Sequence, residues 1–451
     1  MKSIFSFSDT IFAPATTVIS SGVCVIRISG PNAQKAISAL VAPKKFSFKP
    51  RFFELCFLSD PVSNELVDHA LVVFFPAPHS FTGEDVIELH CHGSVAVIRW
   101  MLRILAAMEG LRFAEAGEFS RRAFVNGKLD LTAAEGLADL IEAETAAQAK
   151  QALRQMSGAL ASLYGNWRSN LIHCMAALEA YIDFPDEEIP PSVVDEVTNY
   201  VQQLIVSLQN HLADERRGER LRAGFFVTIL GAPNAGKSSL LNAIAKRDVA
   251  IVSDQAGTTR DVLEVRLDID GYPFILQDTA GIRDTDNAIE QEGIRRAKNA
   301  ARDSDLRLFL FDASCFSEKE VLFSEVDENS IVVFSKCDLE PNFSPPETKS
   351  RKVFLLSVVD NNWPLSDLLA YFSELAKETF SLSEAPLITR ERHRKIASDS
   401  VLILEQFSSS SPLEISAEIL RSAATSLGRI SGHIGLEDVL DELFSRFCIG
   451  K

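Results

Sequence analysis

Residues Phe225–Lys246 read FFVTILGAPNAGKSSLLNAIAK, an apolar run, a loop with two glycines, then apolar residues at helical spacing. The central residues Gly231–Ser239 fit the pattern G-x-x-x-x-G-K-[ST] between a strand and a helix, the context in which it builds a phosphate-binding loop. Gly231 and Gly236 permit a tight turn whose backbone N–H groups cradle phosphate oxygens, Lys237 brings a positive charge to the β and γ phosphates, and the Ser238 hydroxyl is placed to ligate Mg²⁺. Asn234, Ala235, Gly236, Lys237, Ser238 and Ser239 form the candidate phosphate-contacting set.

Working outward, strand-like and helix-like segments alternate over residues 223–381: FFVTIL, SSLLNAIAK, YPFILQD, LRLFLFD, SIVVFSK and KVFLLS. Such alternation predicts a mostly parallel, doubly wound α/β sheet. QDTAGI (residues 277–282) ends one strand and places Asp278 at the sheet edge to hold Mg²⁺ through water, with Thr279 and Ala280 leading to a Gly281 N–H for the γ phosphate. AGTTRD (256–261) lies between the two motifs, and Thr259 is assigned as the second direct ligand of the metal. IVVFSKCDL (331–339) ends in Ser335, Lys336 and Asp338, the last suited to accept both guanine N–H donors. This order of motifs is that of a GTP-binding domain rather than a generic ATPase. The residue after D-T-A-G is Ile282, where Ras-like enzymes carry the glutamine that orients the attacking water, so another group must do so. The following RDTDNAIEQEG (283–293) offers Glu290 and Glu292, between which residue chemistry alone does not choose.

A chain of 451 residues has room for roughly three domains. Residues 1–122 mix short β-rich stretches with helix-like ones, and 123–222 carry Ala and Leu at helical spacing, predicting two or more long helices. Residues 382–451 turn helical again, so an α/β unit is inserted in a discontinuous helical domain. The net charge of −17 has the wrong sign for coating nucleic acid through the overall field. RNA contact is therefore local, and the densest basic run, ITRERHRKI (388–396), is either such a contact or a solvated helix face. No apolar run approaches a bilayer span of about 20 residues, so a cytoplasmic protein without membrane insertion is expected. The seven cysteines, with no C-x-x-C pair, are read as reduced thiols. On a strand, HCH (90–92) would put His90 and His92 on one face without Cys91, which disfavours a metal site.

The stretches DTIFAPAT, VIRISG, SFTGEDVIELHCHG, GEFSRRAFVNGKLDLTAAEGLADLIEAET, AYIDFPDEEI, GAPNAGKSSLLNAIA, AIVSDQAGTTRDVL, DTAGIRDTDNAIEQEGI and FCIGK, spread over essentially the whole length, carry a resemblance to the tRNA modification GTPase MnmE (TrmE) family. The resemblance implies an N-terminal α/β domain (1–122) that binds a 5-formyl-tetrahydrofolate or related one-carbon folate and makes a homodimer. It also implies a helical domain in two parts (123–222 and 382–451) around a Ras-like P-loop G domain (223–381). It further implies an FAD-dependent MnmG (GidA)-type partner in a heterotetramer, with which a carboxymethylaminomethyl or aminomethyl group is installed at C5 of the wobble uridine of certain tRNAs. By motif, the family's catalytic acid falls on Glu290, and its K⁺, which serves as an arginine finger does, on Asn234, Ser253, Gln255 and Thr258. Asp254, Ala256 and Gly257 complete that nucleotide-contacting loop. The folate positions fall on Arg27, Glu88, Lys128 and Lys451, with Arg27 and the lysines expected on folate carboxylates and Glu88 on a pterin edge. Cys448 is open to two readings, a packed thiol or a nucleophile.

The chain departs from the family pattern where ATTVISSGVCVIRISG (15–30) replaces a Pro-Pro-Gly-rich stretch, where Cys91 replaces glycine, and where LLSVVDNN (355–362) keeps only Ser357 of the Ser-Ala guanine loop, leaving the Val358 N–H for the guanine oxygen. Ser335 replaces asparagine, and its shorter arm is expected to forfeit one of the bonds Asn makes to the phosphate loop or the base. The rival reading is a ribosome-assembly or scaffolding GTPase switch, which shares the G motifs but has no need of Arg27, Glu88 and FCIGK.

Overall fold

The structure is a computed structural model. It describes residues 8–41, 44–183, 192–214, 216–247, 249–251, 263–278, 304–318, 321–360, 364–380, 386–408, 410–432, 440, 443–444, 447 and 450. The chain divides into two compact units, one of residues 1–138, 155–204 and 399–451, the other of 139–154 and 205–398.

In the first unit, β1 (Thr10–Pro14), β2 (Ser21–Ser29), β3 (Glu54–Ser59), β4 (Leu66–Phe75), β5 (Val86–Gly93) and β6 (Leu111–Phe113) form a sheet in the order β3-β4-β5-β2-β1-β6. All its pairs are antiparallel except β1 with β6. The period-two pattern of a strand decides its faces. In β2, Cys24, Ile26 and Ile28 are buried while Val25 and Arg27 are half-buried on the other side. The buried face packs on α1 (Ala33–Leu40) and α2 (Val95–Ala107) through Ile37, Leu40, Met101 and Leu105. The same alternation separates Cys91, which faces the core, from its histidine neighbours. His92 Nδ1 pairs with Asp68 Oδ1 at 2.7 Å, and the His90 ring meets Phe53 edge-on.

The Ala/Leu-rich stretch is not continuous. It folds as α3 (Glu118–Val125), α4 (Leu131–Glu142), α5 (Ala146–Met156) and α6 (Ala159–Asp183), followed by α7 (Ser192–Leu212). Gly158, left-handed at φ 84°, separates α5 from α6. Leu160, Tyr164, Leu171 and Leu178 are buried along α6 at steps of four and seven, and this helix packs against Leu413–Gly428, whose Ala423 and Ala424 keep the facing surface low.

One buried cation ties together the N-terminal part of this unit. Arg122 of α3 is fully buried, with Nη2 donating to Asp9 Oδ1 (2.9 Å) and Glu118 Oε1 (3.0 Å), and Nη1 to Glu84 Oε1 (3.1 Å). Arg112 of β6 adds bonds of 2.6 Å to both Asp9 and Glu118. Burial pushes the Glu118 carboxyl up, but bonds from Arg112, the Glu115 N–H and Arg122 outweigh it and hold the group below its usual range.

In the second unit, β7 (Phe225–Leu230), β8 (Leu263–Ile269), β9 (Tyr272–Asp278), β10 (Leu306–Asp312), β11 (Ser330–Ser335) and β12 (Lys352–Leu355) take the order β12-β11-β10-β7-β9-β8. Only the β8–β9 pair is antiparallel. Both faces are covered, which is why these strands read as continuous apolar runs. Val227, Leu308 and Val333 meet Leu241, Leu368 and Phe372 on one face, and Phe309, Phe311 and Phe334 meet Phe316, Phe323 and Phe343 on the other. The order turns at β7, and in such sheets ligands bind outside the carboxyl ends of the strands at that turn.

Two arginines of the basic run ITRERHRKI are committed to ion pairs, while Lys395 is exposed. Arg390 Nη2 pairs with Asp139 at 2.7 Å, Arg394 pairs with Asp214 (2.6 Å) and Glu219 (3.2 Å), and His393 is fully buried on the helix Glu391–Leu404. Among the described residues, no helix is long and apolar enough to cross a membrane.

Arg122→Ala is expected to lower the free energy of unfolding by about 3 kcal/mol, because Glu118 and Glu84 lose their shared cation in the interior. Urea titration followed by circular dichroism measures this, and an unchanged midpoint refutes it. The depressed Glu118 carboxyl contributes stability above its ordinary value of 4.5, and this is lost as pH falls through its lower folded value, so wild-type stability declines on acidification.

Candidate nucleotide-binding site

Parallel pairing brings four strand ends to one edge of the second unit. Ile229 lies opposite Asp278, Leu230 opposite Phe309, and Asp312 opposite Ser335. The phosphate loop, the metal-side aspartate and the guanine loop thus converge although 46 to 100 positions separate them in sequence, from residue 232 to 278 and from 235 to 335.

Gly231 must lack a side chain, since a Cβ there would lie 2.4 Å from the Leu310 carbonyl oxygen. Asn234 (φ 66°) and Gly236 (φ 101°) are left-handed, and Gly236 caps the helix Lys237–Ala245, so the positive end of the helix faces the loop. Lys237 is buried, its Nζ donating to the carbonyls of Gly231 (2.6 Å) and Ala232 (2.9 Å). Burial lowers its pKa, and the neighbouring Asp278 opposes that shift. One step along, Ser238 Oγ donates to Asp278 Oδ2 at 3.4 Å, joining the two motifs. A hydroxyl beside a carboxylate is a hard oxygen donor set, which fits Mg²⁺.

At the base-reading side, Cys337 is fully buried among the phenylalanines while Ser335, Lys336 and Asp338 flank it half-buried. The Cys337 N–H donates to Leu356 O at 3.3 Å and the Leu356 N–H to Phe334 O at 2.8 Å, which ties this loop to the next. There the Ser357 hydroxyl accepts from the N–H groups of Val359 and Asp360, both at 3.1 Å, and leaves Val358 half-exposed at the tip. Ser335 narrows the expectation. Its Oγ lies 2.6 Å from Ala235 O and 3.1 Å from Phe311 O, so the short side chain does brace the phosphate loop. Its single proton is directed to those carbonyls, which leaves none to donate toward a base.

Of the folate set, Arg27 and Glu88 lie opposite one another on β2 and β5 and pair together, Nη2 to Oε1 at 2.8 Å. The Arg27 guanidinium also lies over the rings of Phe81 (5.4 Å) and Phe119 (5.6 Å). Lys128 is exposed, with its stem across Gly83. Gly450 of the terminal motif packs so closely on Pro14 that a Cβ would meet its carbonyl oxygen at 1.9 Å, which brings the chain end beside the strand carrying Arg27's partner Ala13. Ser253, Asp254, Gln255, Ala256, Gly257, Thr258, Thr259, Thr279, Ala280, Gly281, Glu290, Cys448 and Lys451 lie outside the described residues. Sequence reasoning missed Asp312, which ends LRLFLFD as Ser335 ends SIVVFS; the equivalent strand-end positions were the available signal.

The chain matches a family model described as the MnmE helical domain over residues 131–448 and another described as the GTP-binding protein TrmE N-terminus over 10–128. It is 47% identical to the tRNA modification GTPase MnmE of Rickettsia bellii (strain RML369-C), over 98% of this chain and 100% of that one. It is 48% identical to the tRNA modification GTPase MnmE of Paramagnetospirillum magneticum (strain ATCC 700264 / AMB-1), with the same coverage. A crystal structure of Era in complex with MgGDPNP and a 16S ribosomal RNA segment aligns with 33% of this chain and 56% of its own, at 25% identity and a TM-score of 0.26.

Ser335→Ala removes the loop brace and is expected to weaken GDP binding about fivefold, the worth of one hydrogen bond. Ser335→Asn offers a donor to N7 and is expected to tighten it several-fold. Fluorescent-GDP titration measures both, and equal affinity in all three proteins refutes the reading.

Proposed function

This chain belongs to the tRNA modification GTPase MnmE family and hydrolyses GTP in tRNA modification, and from that premise we propose the finer reaction. Hydrolysis is K⁺-stimulated. With an FAD-dependent MnmG-type partner in a heterotetramer, the homodimer installs a carboxymethylaminomethyl or aminomethyl group at C5 of the wobble uridine of certain tRNAs, in the cytoplasm. The one-carbon unit comes from a 5-formyl-tetrahydrofolate-type carrier.

The observation that carries the nucleotide half is the Ser238–Asp278 contact beside the buried Lys237. Lys237 attracts the β and γ phosphates, the N-terminus of the helix Lys237–Ala245 supplies N–H donors, and Asp338 selects guanine by accepting its two N–H groups. Ser238 and Thr259 would hold Mg²⁺ directly and Asp278 through a water, and the ion would supply positive charge beside the β and γ phosphates. Asn234, Ser253, Gln255 and Thr258 would hold K⁺ where an arginine finger acts in other GTPases, and Glu290 would orient the attacking water through a second one. Following Thr279 and Ala280 in the sequence, the Gly281 N–H would reach the γ phosphate. Domain limits of 1–122, 123–222 with 382–451, and 223–381 accompany this reading.

For the folate half, Arg27 and Lys128, with Lys451 at the chain end, would meet carboxylates, and Glu88 would accept from a pterin edge. Arg27 Nε and Nη2 both meet Glu88 Oε1, at 2.9 and 2.8 Å, which leaves Oε2 of the same carboxylate to accept from a pterin edge. Phe81, half-buried beside Arg27, supplies flat apolar surface of the kind a pterin ring covers, while Phe119 is buried.

GTP turnover by the purified protein is expected to be several-fold faster in K⁺ than in Na⁺ at equal ionic strength; equal rates remove the cation role. Calorimetry with 5-formyl-tetrahydrofolate is expected to show binding that Arg27→Ala abolishes. Mass spectrometry of wobble uridine in a deletion strain then decides between a modification enzyme and a switch, for which the nucleoside would be unchanged.

A further inference from the structure

The lysine of the guanine loop has an anchor that its motif does not contain. Lys336 is left-handed (φ 57°), and its Nζ donates to the Asn234 carbonyl in the phosphate loop at 3.0 Å and to Asp312 Oδ2 at 2.5 Å. Asp312 is the last residue of β10 and stands opposite Ser335, so the sheet itself sets this carboxylate beside the loop. Its other oxygen, Oδ1, accepts from the Ser314 N–H (3.0 Å) and Ser314 Oγ (2.7 Å), which fixes the plane of the carboxylate. Burial raises the Asp312 pKa, but the bonds from Lys336 and Ser314 outweigh this and keep the group ionised.

A lysine ammonium on a four-carbon stem has many rotamers, and a stem reaching half into solvent is not held by packing alone. Two oxygen partners on different elements confine it. We propose that Asp312 is a positioning residue for guanine nucleotides: through the Lys336 ammonium it holds the lysine stem along the face of the base and locks the base-reading loop to the phosphate loop. The role matters more in this chain than in one with asparagine at 335, because Ser335 directs its only proton to Ala235 and Phe311 and gives the base no donor. This inference rests on the GTPase reading above.

Discrimination and positioning separate by choice of base. Asp338 recognises the guanine edge, including its 2-amino group, whereas the Lys336 stem lies on the ring face, which hypoxanthine presents equally. Steady-state kinetics of the full-length protein with GTP and ITP therefore test the proposal. Hydrolysis of GTP by the wild type checks the GTPase reading independently of Asp312. Asp312→Asn keeps an acceptor for Ser314 and removes the charge; it is expected to raise KM for GTP and for ITP by the same five- to tenfold, with kcat unchanged. Ser314→Ala, which loosens the other oxygen, is expected to leave KM within about twofold.

Lys336→Met retains an apolar stem and is expected to raise KM as Asp312→Asn does, and the double variant no further, as coupled residues in one contact behave. Should Asp312→Asn unfold, Lys336→Met carries the same comparison of GTP with ITP. An unchanged KM in a folded variant, a shift in the GTP-to-ITP ratio, a fall in kcat, or additive effects in the double variant would each overturn the assignment.

Discussion

Strands that pair in parallel run the same way, so residues at their carboxyl ends must gather along one edge of the sheet. That constraint builds the nucleotide site. β7 delivers the phosphate loop, β9 delivers Asp278, β10 delivers Asp312 and β11 delivers Ser335, each at a position fixed by register. No side chain needs to search for its partner. The Ser335 bond to Ala235 and the Lys336 bond to Asn234 then stitch loops that the backbone has already brought within reach.

The elements of this arrangement that sequence made legible are those written in adjacent residues. Gly231, Gly236 and Lys237 announce a phosphate loop because the steric need for glycine and the flanking apolar runs are local. The sheet's makeup followed from uninterrupted apolar strands, which only a sheet covered on both faces tolerates. Pairings across the sheet were not legible. Arg27 with Glu88, 61 positions apart, and Lys336 with Asp312, 24 apart, depend on which strands are neighbours and in what register. The ion pairs of the basic run were hidden for the same reason: the acids that meet Arg390 and Arg394 lie up to 251 positions away, at Asp139, Asp214 and Glu219. The Ala-rich stretch shows a further limit, since helix propensity predicts that residues will be helical more readily than where a left-handed Gly158 will divide them.

The two units solve the burial of charge differently. In the first, Arg122 is sealed among three carboxylates and satisfied by them, a structural use of an ion that needs no ligand. In the second, Lys237 is buried against carbonyl oxygens, which accept its hydrogen bonds but carry no full negative charge. An ammonium held that way is still attracted to a phosphate, and its depressed pKa records the same deficit. The contrast distinguishes a cation that holds a fold from one that receives a substrate.

Cys337 and the phenylalanines beneath it have a consequence for the thermodynamics of binding. Phe311, Phe316, Phe323, Phe334 and Phe343 meet edge to face or tilted, and the thiol of Cys337 fills the space between them and the guanine loop. A loop seated on so many interlocked rings has lost its conformational entropy during folding, before any nucleotide arrives. Recognition of the base should accordingly show little ordering of this loop. A smaller residue at position 337 would act on nucleotide affinity through entropy, without touching the nucleotide.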